Sequence, residues 1–76
     1  MASGEGAAMN TFSESDLRTL AEAVRQVCVD EAVSAYEYGG MSGLCVEGRW
    51  DLAMDRLRSL DVGALVRDWL SRRAAG

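Results

Sequence analysis

The chain has 76 residues, a formal net charge of −4, and neither proline nor histidine. The acidic balance argues against nucleic acid as a partner, because a phosphate backbone is bound by a basic face. No apolar run approaches the roughly 20 residues that span a bilayer, and no basic segment followed by an apolar one marks a secretion signal. We therefore expect a cytoplasmic protein that binds neither nucleic acid nor membrane.

The residue types present also argue against catalysis. Two cysteines without a histidine do not supply an ordinary four-ligand zinc site. Serine side chains have no histidine to act as their base, so no triad can be assembled. The carboxylate-bridged metal sites of helical bundles use histidine as well. We therefore expect a protein that is not an enzyme and that holds no metal and no cofactor.

The beginning of the folded part is marked by capping signals. Residues 1–10 are rich in Gly, Ala and Ser and show no periodicity, so we expect a disordered tail before a single helical domain at 11–76. A hydroxyl followed three residues later by an acid is the pattern of a capping box. Two pairs have this spacing, and they are Thr11 with Glu14 and Ser13 with Asp16.

Apolar residues then recur at steps of three and four, which is typical of an amphipathic helix. This stripe comprises Leu17, Leu20, Val24, Val27 and Cys28. A second stripe opens further along and comprises Val29, Val33 and Tyr36. A helix that is apolar on two sides has neighbours on two sides. We therefore expect the second half of the helix to be more buried than the first.

The glycine-rich segment 39–43 admits two interpretations. Each glycine costs a helix about 1 kcal/mol relative to alanine, which favours a turn at Gly39-Gly40. The glycines also continue a row of small residues at helical spacing, which would let another backbone approach closely. We prefer this second interpretation. The first helix then runs from about 13 to 47, either straight or kinked within 39–43, and ends at Gly48.

Two shorter helices are predicted after the glycines, at about 50–60 and 62–73. Trp50, Ala53 and Leu57 recur at helical spacing in the first of them. Asp61 is well placed to cap the second. The predicted fold class is all-α, with a long N-terminal helix and two short helices packed back on it.

Gly48, Trp50 and Ala53 have the spacing of the residues that pack the two helices of a tetratricopeptide-type hairpin, which the segment 47–60 resembles. Such repeats form solenoids of about three or more copies, and only one copy is present here. The resemblance therefore implies hairpin geometry and no peptide-binding function. A wider pattern is similar to short helical proteins of bacteria, and it consists of GLCVEGRW at 43–50 and RSLD at 58–61.

The predicted helix lengths leave apolar surface uncovered. A first helix ending near residue 47 would be about 50 Å long, whereas each short helix would be about 17 Å long. The first apolar stripe would then be bare in a monomer, and small chains usually bury such a stripe against a partner. We therefore predict a non-enzymatic assembly or accessory protein that associates with itself or with a larger protein. The predicted interface residues are Leu17, Leu20, Val24, Val27 and Cys28.

The alternative prediction is a small regulatory module that binds a ligand or cofactor where the chain reverses. Its candidate residues would line a small pocket, and they are Gly40, Gly43, Cys45 and Trp50. A reactive thiol needs an electropositive neighbourhood, so Cys45 near Arg49 is the better candidate of the two cysteines.

Overall fold

The computed structural model describes residues 12–75, which form three α-helices and no strand. Helix α1 spans Glu14–Met41, α2 spans Val46–Arg58 and α3 spans Val62–Ala75. The predicted all-α class, with one long helix followed by two shorter ones packed on it, is confirmed. The predicted tail at 1–10 and the alternative cap at Thr11 lie outside the described residues.

Helix α1 begins with one of the two predicted capping boxes. The Ser13 hydroxyl accepts a hydrogen bond from the backbone N–H of Asp16 at 3.0 Å. The Asp16 carboxylate accepts one from the backbone N–H of Ser13, also at 3.0 Å. These bonds satisfy backbone donors that a helix start leaves without partners.

Helix α1 ends at Met41, so the prediction that it continues to about residue 47 is wrong. Gly43 has a φ of 89°, a left-handed conformation in which the α-helix cannot continue. The N–H of Leu44 donates to the carbonyl of Gly39 at 2.9 Å, and the N–H of Gly43 donates to that of Gly40 at 3.1 Å. These two bonds form a Schellman motif, in which Gly43 is the glycine that follows the helix. The sequence predicts Gly48 for this position.

The other two glycines belong to the last turns of α1, so the turn considered at Gly39-Gly40 is wrong as well. Gly39 is buried, and a Cβ added to it would lie 3.2 Å from the Leu44 side chain and 3.4 Å from the Arg49 Cα. The absence of a side chain therefore lets the start of α2 approach the end of α1. The predicted close approach of another backbone therefore occurs at Gly39, whereas a Cβ at Gly40 would meet only the Arg49 side chain and one at Gly43 would meet nothing within 4 Å.

Helix α2 runs antiparallel to α1 along its second half. Ala35 is fully buried in α1 and Ala53 is 6% exposed in α2, and they are the buried apolar side chains of residues 12–75. Arg56 pairs with Glu31 across the two helices at 3.2 Å. The α1–α2 hairpin is therefore held by small side chains and one partly buried ion pair.

Helix α3 continues in the same direction as α2 and lies beside the first half of α1. As predicted, Asp61 caps it, because its carboxylate accepts a hydrogen bond from the N–H of Ala64 at 3.0 Å. Helix α3 contacts α1 less extensively than α2 does, and within the described part of the chain α2 and α3 do not pack on each other. Each half of α1 therefore has one neighbouring helix.

The predicted shortfall in helix length does not occur. Helix α1 has 28 residues, α2 has 13 and α3 has 14, which corresponds to about 42, 20 and 21 Å. Because α1 ends early, the two following helices together match its length. One neighbour on each half still leaves large apolar side chains exposed, and these are Leu17, Val29, Val33, Tyr38, Met41, Leu44, Val46, Trp50, Val62 and Leu70.

The Schellman motif can be tested by replacing its glycine. Gly43→Ala should destabilise the fold by about 1 kcal/mol, because a Cβ is strained in the left-handed region, and should lower the thermal midpoint followed by circular dichroism at 222 nm. Gly63→Ala is the matched control. It lies in α3 without a positive φ, and its Cβ would meet only the ends of the Arg67 and Asp61 side chains. An equal loss of stability in both variants would contradict the role given to Gly43.

Candidate functional site

The apolar stripe that the sequence singles out as an interface lies on α1 beside α3. Both helices line a groove there, and its apolar residues are Leu20, Ala23, Val24, Val27, Leu65 and Trp69. Cys28 is half-buried, whereas Leu17 at the start of the helix is 42% exposed. The expectation that the whole stripe is bare in one copy is therefore wrong, because α3 reaches back along the first half of α1.

The packing of α3 on this stripe is incomplete. A groove of about 280 Å³, partly open to solvent, remains between the two helices, and α3 contacts α1 less extensively than α2 does. Its polar edge includes Asp68 and Arg72, which pair with each other at 2.9 Å within α3. Apolar packing alone therefore holds α3 only weakly.

A second interaction joins the end of α3 to the start of α1, and we call its residues Phe12, Asp16, Trp69 and Arg73 the latch. The two terminal nitrogens of Arg73 each donate to a carboxylate oxygen of Asp16 at 3.0 Å. The guanidinium carbon lies 5.1 Å from the centre of the Phe12 ring and 5.3 Å from that of Trp69. Bidentate hydrogen bonding and cation–π attraction thus act on the same arginine.

The latch makes the docking of α3 depend on pH. The Arg73 guanidinium, and after it the backbone N–H of Ser13, lower the pKa of Asp16 below its ordinary value of 3.8. The folded state therefore favours the ionised carboxylate more than the unfolded state does. This contribution to stability is present above the unfolded-state pKa, and it is lost as the pH falls through the lower folded-state pKa.

A second apolar surface lies along the α1–α2 hairpin. We call it the hairpin groove, and it is lined by Ala32, Val33, Tyr36, Trp50 and Ala53, with Glu37 at its edge. Trp50 is 60% exposed, and Val29 and Val33 are each 49% exposed. The expectation that this half of α1 is the more buried holds for Ala35 and Gly39, the buried residues of the helix. It is wrong for both valines, because α2 covers the side of α1 that carries Ala35.

The hairpin groove contains none of the interface residues predicted from the sequence. Its signal was present in the second apolar stripe, at Val29, Val33 and Tyr36. From the sequence, that stripe predicts a second neighbour for α1 and greater burial of this half. In the structure α2 covers only part of this stripe, and Val29 and Val33 remain exposed.

The alternative prediction placed a ligand site where the chain reverses between α1 and α2. The surroundings of Gly40 and Gly43, two of its four candidate residues, differ from each other. The side chain of Arg49 fills the space beside Gly40, where an added Cβ would lie 3.0 Å from the guanidinium carbon. Its Nε donates to the Leu44 carbonyl at 3.0 Å, and the guanidinium lies 5.7 Å from the Tyr36 ring centre. Gly43 faces open space.

The remaining two candidates for that site lie in α2 or at its start. Cys45 precedes the first turn of α2 as an exposed free thiol. Trp50 lines the hairpin groove instead of the reversal. Of the hairpin-resemblance residues, Ala53 is buried between the helices, whereas Trp50 is largely exposed. The resemblance itself stays a prediction.

Residues 12–75 contain neither a group of metal-ligating side chains nor a helix that could span a membrane. No three histidine, cysteine or acidic side chains in this part of the chain are grouped as metal ligands. None of the three helices described has the length and hydropathy needed to cross a membrane.

Acid titration provides a test of the latch. Below about pH 4, protonation of Asp16 should weaken its bonds to Arg73 and undock α3, which the fluorescence of Trp69 would report in a Trp50→Phe background. Arg73→Gln should remove this step, because its latch is already open at neutral pH. Arg72→Gln is the matched control, since its partner Asp68 lies within α3. Identical titration curves for the parent chain and Arg73→Gln would contradict the latch.

Comparisons with protein-family models, with curated proteins and with solved structures find no match for this chain.

Proposed function

We propose that this protein acts through association with other protein chains and not by catalysis, either as a homo-oligomer or as a small subunit of a larger complex. The observation that supports this proposal is the size of the core. Within residues 12–75, the buried apolar side chains are Ala35 and Ala53. A single core in a chain of this length provides about 3–5 kcal/mol, and two alanines provide only part of that. Binding to a partner would supply the missing apolar burial.

The exposed side chains support the same proposal. Met41 is 83% exposed, Val46 is 64% exposed, and Trp50 in the hairpin groove is nearly as accessible as Val46. Single exposed apolar residues are normal on a protein surface, whereas contiguous ones mark interaction sites. Tryptophan and methionine are also enriched in protein–protein interfaces. The hairpin groove therefore adds a second candidate surface to the stripe predicted from the sequence.

The predicted interface at Leu17, Leu20, Val24, Val27 and Cys28 remains part of the proposal, with one added condition. Helix α3 covers part of this stripe, so a partner would either enter the groove between α1 and α3 or displace α3. The latch opposes displacement at neutral pH. A cytoplasmic location also remains part of the proposal. The ligand-binding alternative gains no support, because Arg49 occupies the space beside Gly40.

Solution mass and stability test the proposal together. Light scattering across a wide concentration range should give a mass above the 8.2 kDa of one chain, and the thermal midpoint should rise with concentration, because association stabilises the folded form. A small subunit would instead remain monomeric alone and co-purify in a fixed ratio with a larger protein of its own host. A stable monomer at every concentration, with no protein bound in a fixed ratio, would contradict both forms.

A further inference from the structure

The hairpin groove has the shape that accepts one more helix. Packed helices lie about 8–10 Å apart, and two antiparallel helices leave a furrow along their seam. Ala32 and Ala53 place small side chains at this seam, while Val33 and Trp50 stand exposed on either side. Its lining is almost wholly apolar. A third helix laid there would complete a three-helix bundle, as in helix-in-groove recognition.

Three carboxylates lie at or beside this groove, and the Arg49 guanidinium, 5.7 Å from the ring centre of Tyr36, offsets only one of these charges. Glu37 lies at its edge, and Glu47 and Asp51 lie beside Trp50 at the start of α2. Within the described part of the chain, none of these three carboxylates forms an ion pair. By contrast, six other acidic residues do, and they are Glu14, Asp16, Glu22, Glu31, Asp55 and Asp68. A partner with cationic side chains would complement the groove.

The same charges argue against a second copy of this chain in the groove. A two-fold symmetric interface presents the same patch from both subunits. The net negative charge of this patch would then face the same net charge on the other copy, and like charges brought together across an interface disfavour it. A different chain with a complementary surface avoids this cost.

We infer that the hairpin groove binds an amphipathic helix of a partner protein, whose apolar face enters the groove and whose flanks carry lysine or arginine. The inference rests on the proposed function and adds the surface and the chemical character of the partner. Trp50 is the central apolar contact, and the three carboxylates select the charge of the bound helix.

Two synthetic helical peptides test this inference directly. Both carry leucine and alanine at i, i+3, i+4 and i+7, and their flanking residues are lysine and arginine in one and glutamate in the other. Calorimetry on the full chain should show that the basic peptide binds about 10-fold more tightly at low salt, with a smaller difference at high salt. Amide chemical shifts should change along the hairpin groove, at residues 29–37 and 46–54.

Variants separate the apolar contact from the charges. Trp50→Ala should weaken binding of the basic peptide by about 30-fold, as expected for a tryptophan hot spot. Met41→Ala, which removes a more exposed apolar side chain outside the groove lining, should leave binding unchanged. Circular dichroism of each variant should match that of the parent chain, because both side chains are largely exposed.

Charge neutralisation has a matched control as well. The triple change Glu37→Gln, Glu47→Gln and Asp51→Asn should abolish the preference for the basic peptide. The control triple change Glu22→Gln, Asp55→Asn and Asp68→Asn removes the same charge from residues already paired with arginines. It should retain most of the preference, because these carboxylates are compensated within their own helices.

Several outcomes would overturn the inference. They are equal binding of both peptides, binding of neither peptide, amide shift changes confined to α3 and to residues 14–28 of α1, and a homodimer that Trp50→Ala dissociates. If the chain associates with itself or a host protein while the groove variants have no effect on that association, the inference fails and the proposed function stands. A chain that associates with nothing in solution or in its host contradicts the proposed function, independently of the peptide result.

Discussion

The close approach of α1 and α2 at small side chains is the constraint on which the rest of the structure depends. A Cβ at Gly39 would be crowded by Leu44 and Arg49, and Ala35 and Ala53 are the apolar side chains buried at the seam within residues 12–75. Large apolar residues cannot enter so narrow a contact. Val33 and Trp50 therefore stand beside the seam, where they form the walls of the hairpin groove. The same packing that joins the two helices thus determines which apolar side chains remain accessible to another protein.

Local sequence signals predicted the helices well and their ends less well. The caps at Ser13 and Asp61 depend on residues within one turn, so spacing predicted the cap at Asp61 and left two candidate pairs for the start of α1, of which Ser13 with Asp16 forms the capping box. The end of α1 was harder, because Gly43 and Gly48 both qualify as the terminal glycine. The choice between them depends on the approach of Arg49 to Gly39, which is a tertiary contact that a local pattern does not contain. For the same reason, the apolar stripes were visible but the neighbour of each stripe was not.

The two short helices are held on α1 by different forces. Helix α2 is packed through small residues, which allows the backbones to lie close together. Helix α3 leaves a groove over the stripe on α1 and is secured at its far end by Arg73, which bonds Asp16 and lies near two aromatic rings. Protonation of Asp16 is therefore expected to weaken the attachment of α3, whereas α1 and α2 are joined by the buried Ala35 and Ala53 and by the partly buried Glu31–Arg56 pair.

Since the backbones of α2 and α3 do not pack on each other within residues 12–75, these two helices need not leave α1 together on unfolding. The α1–α2 hairpin joins segments close in sequence, which favours rapid formation. The latch pairs residues 57 positions apart, so forming it requires closure of a much longer loop. Amide protons of α3 should therefore exchange with solvent through an opening that leaves the hairpin folded, and the native state would contain two cooperative units of unequal stability.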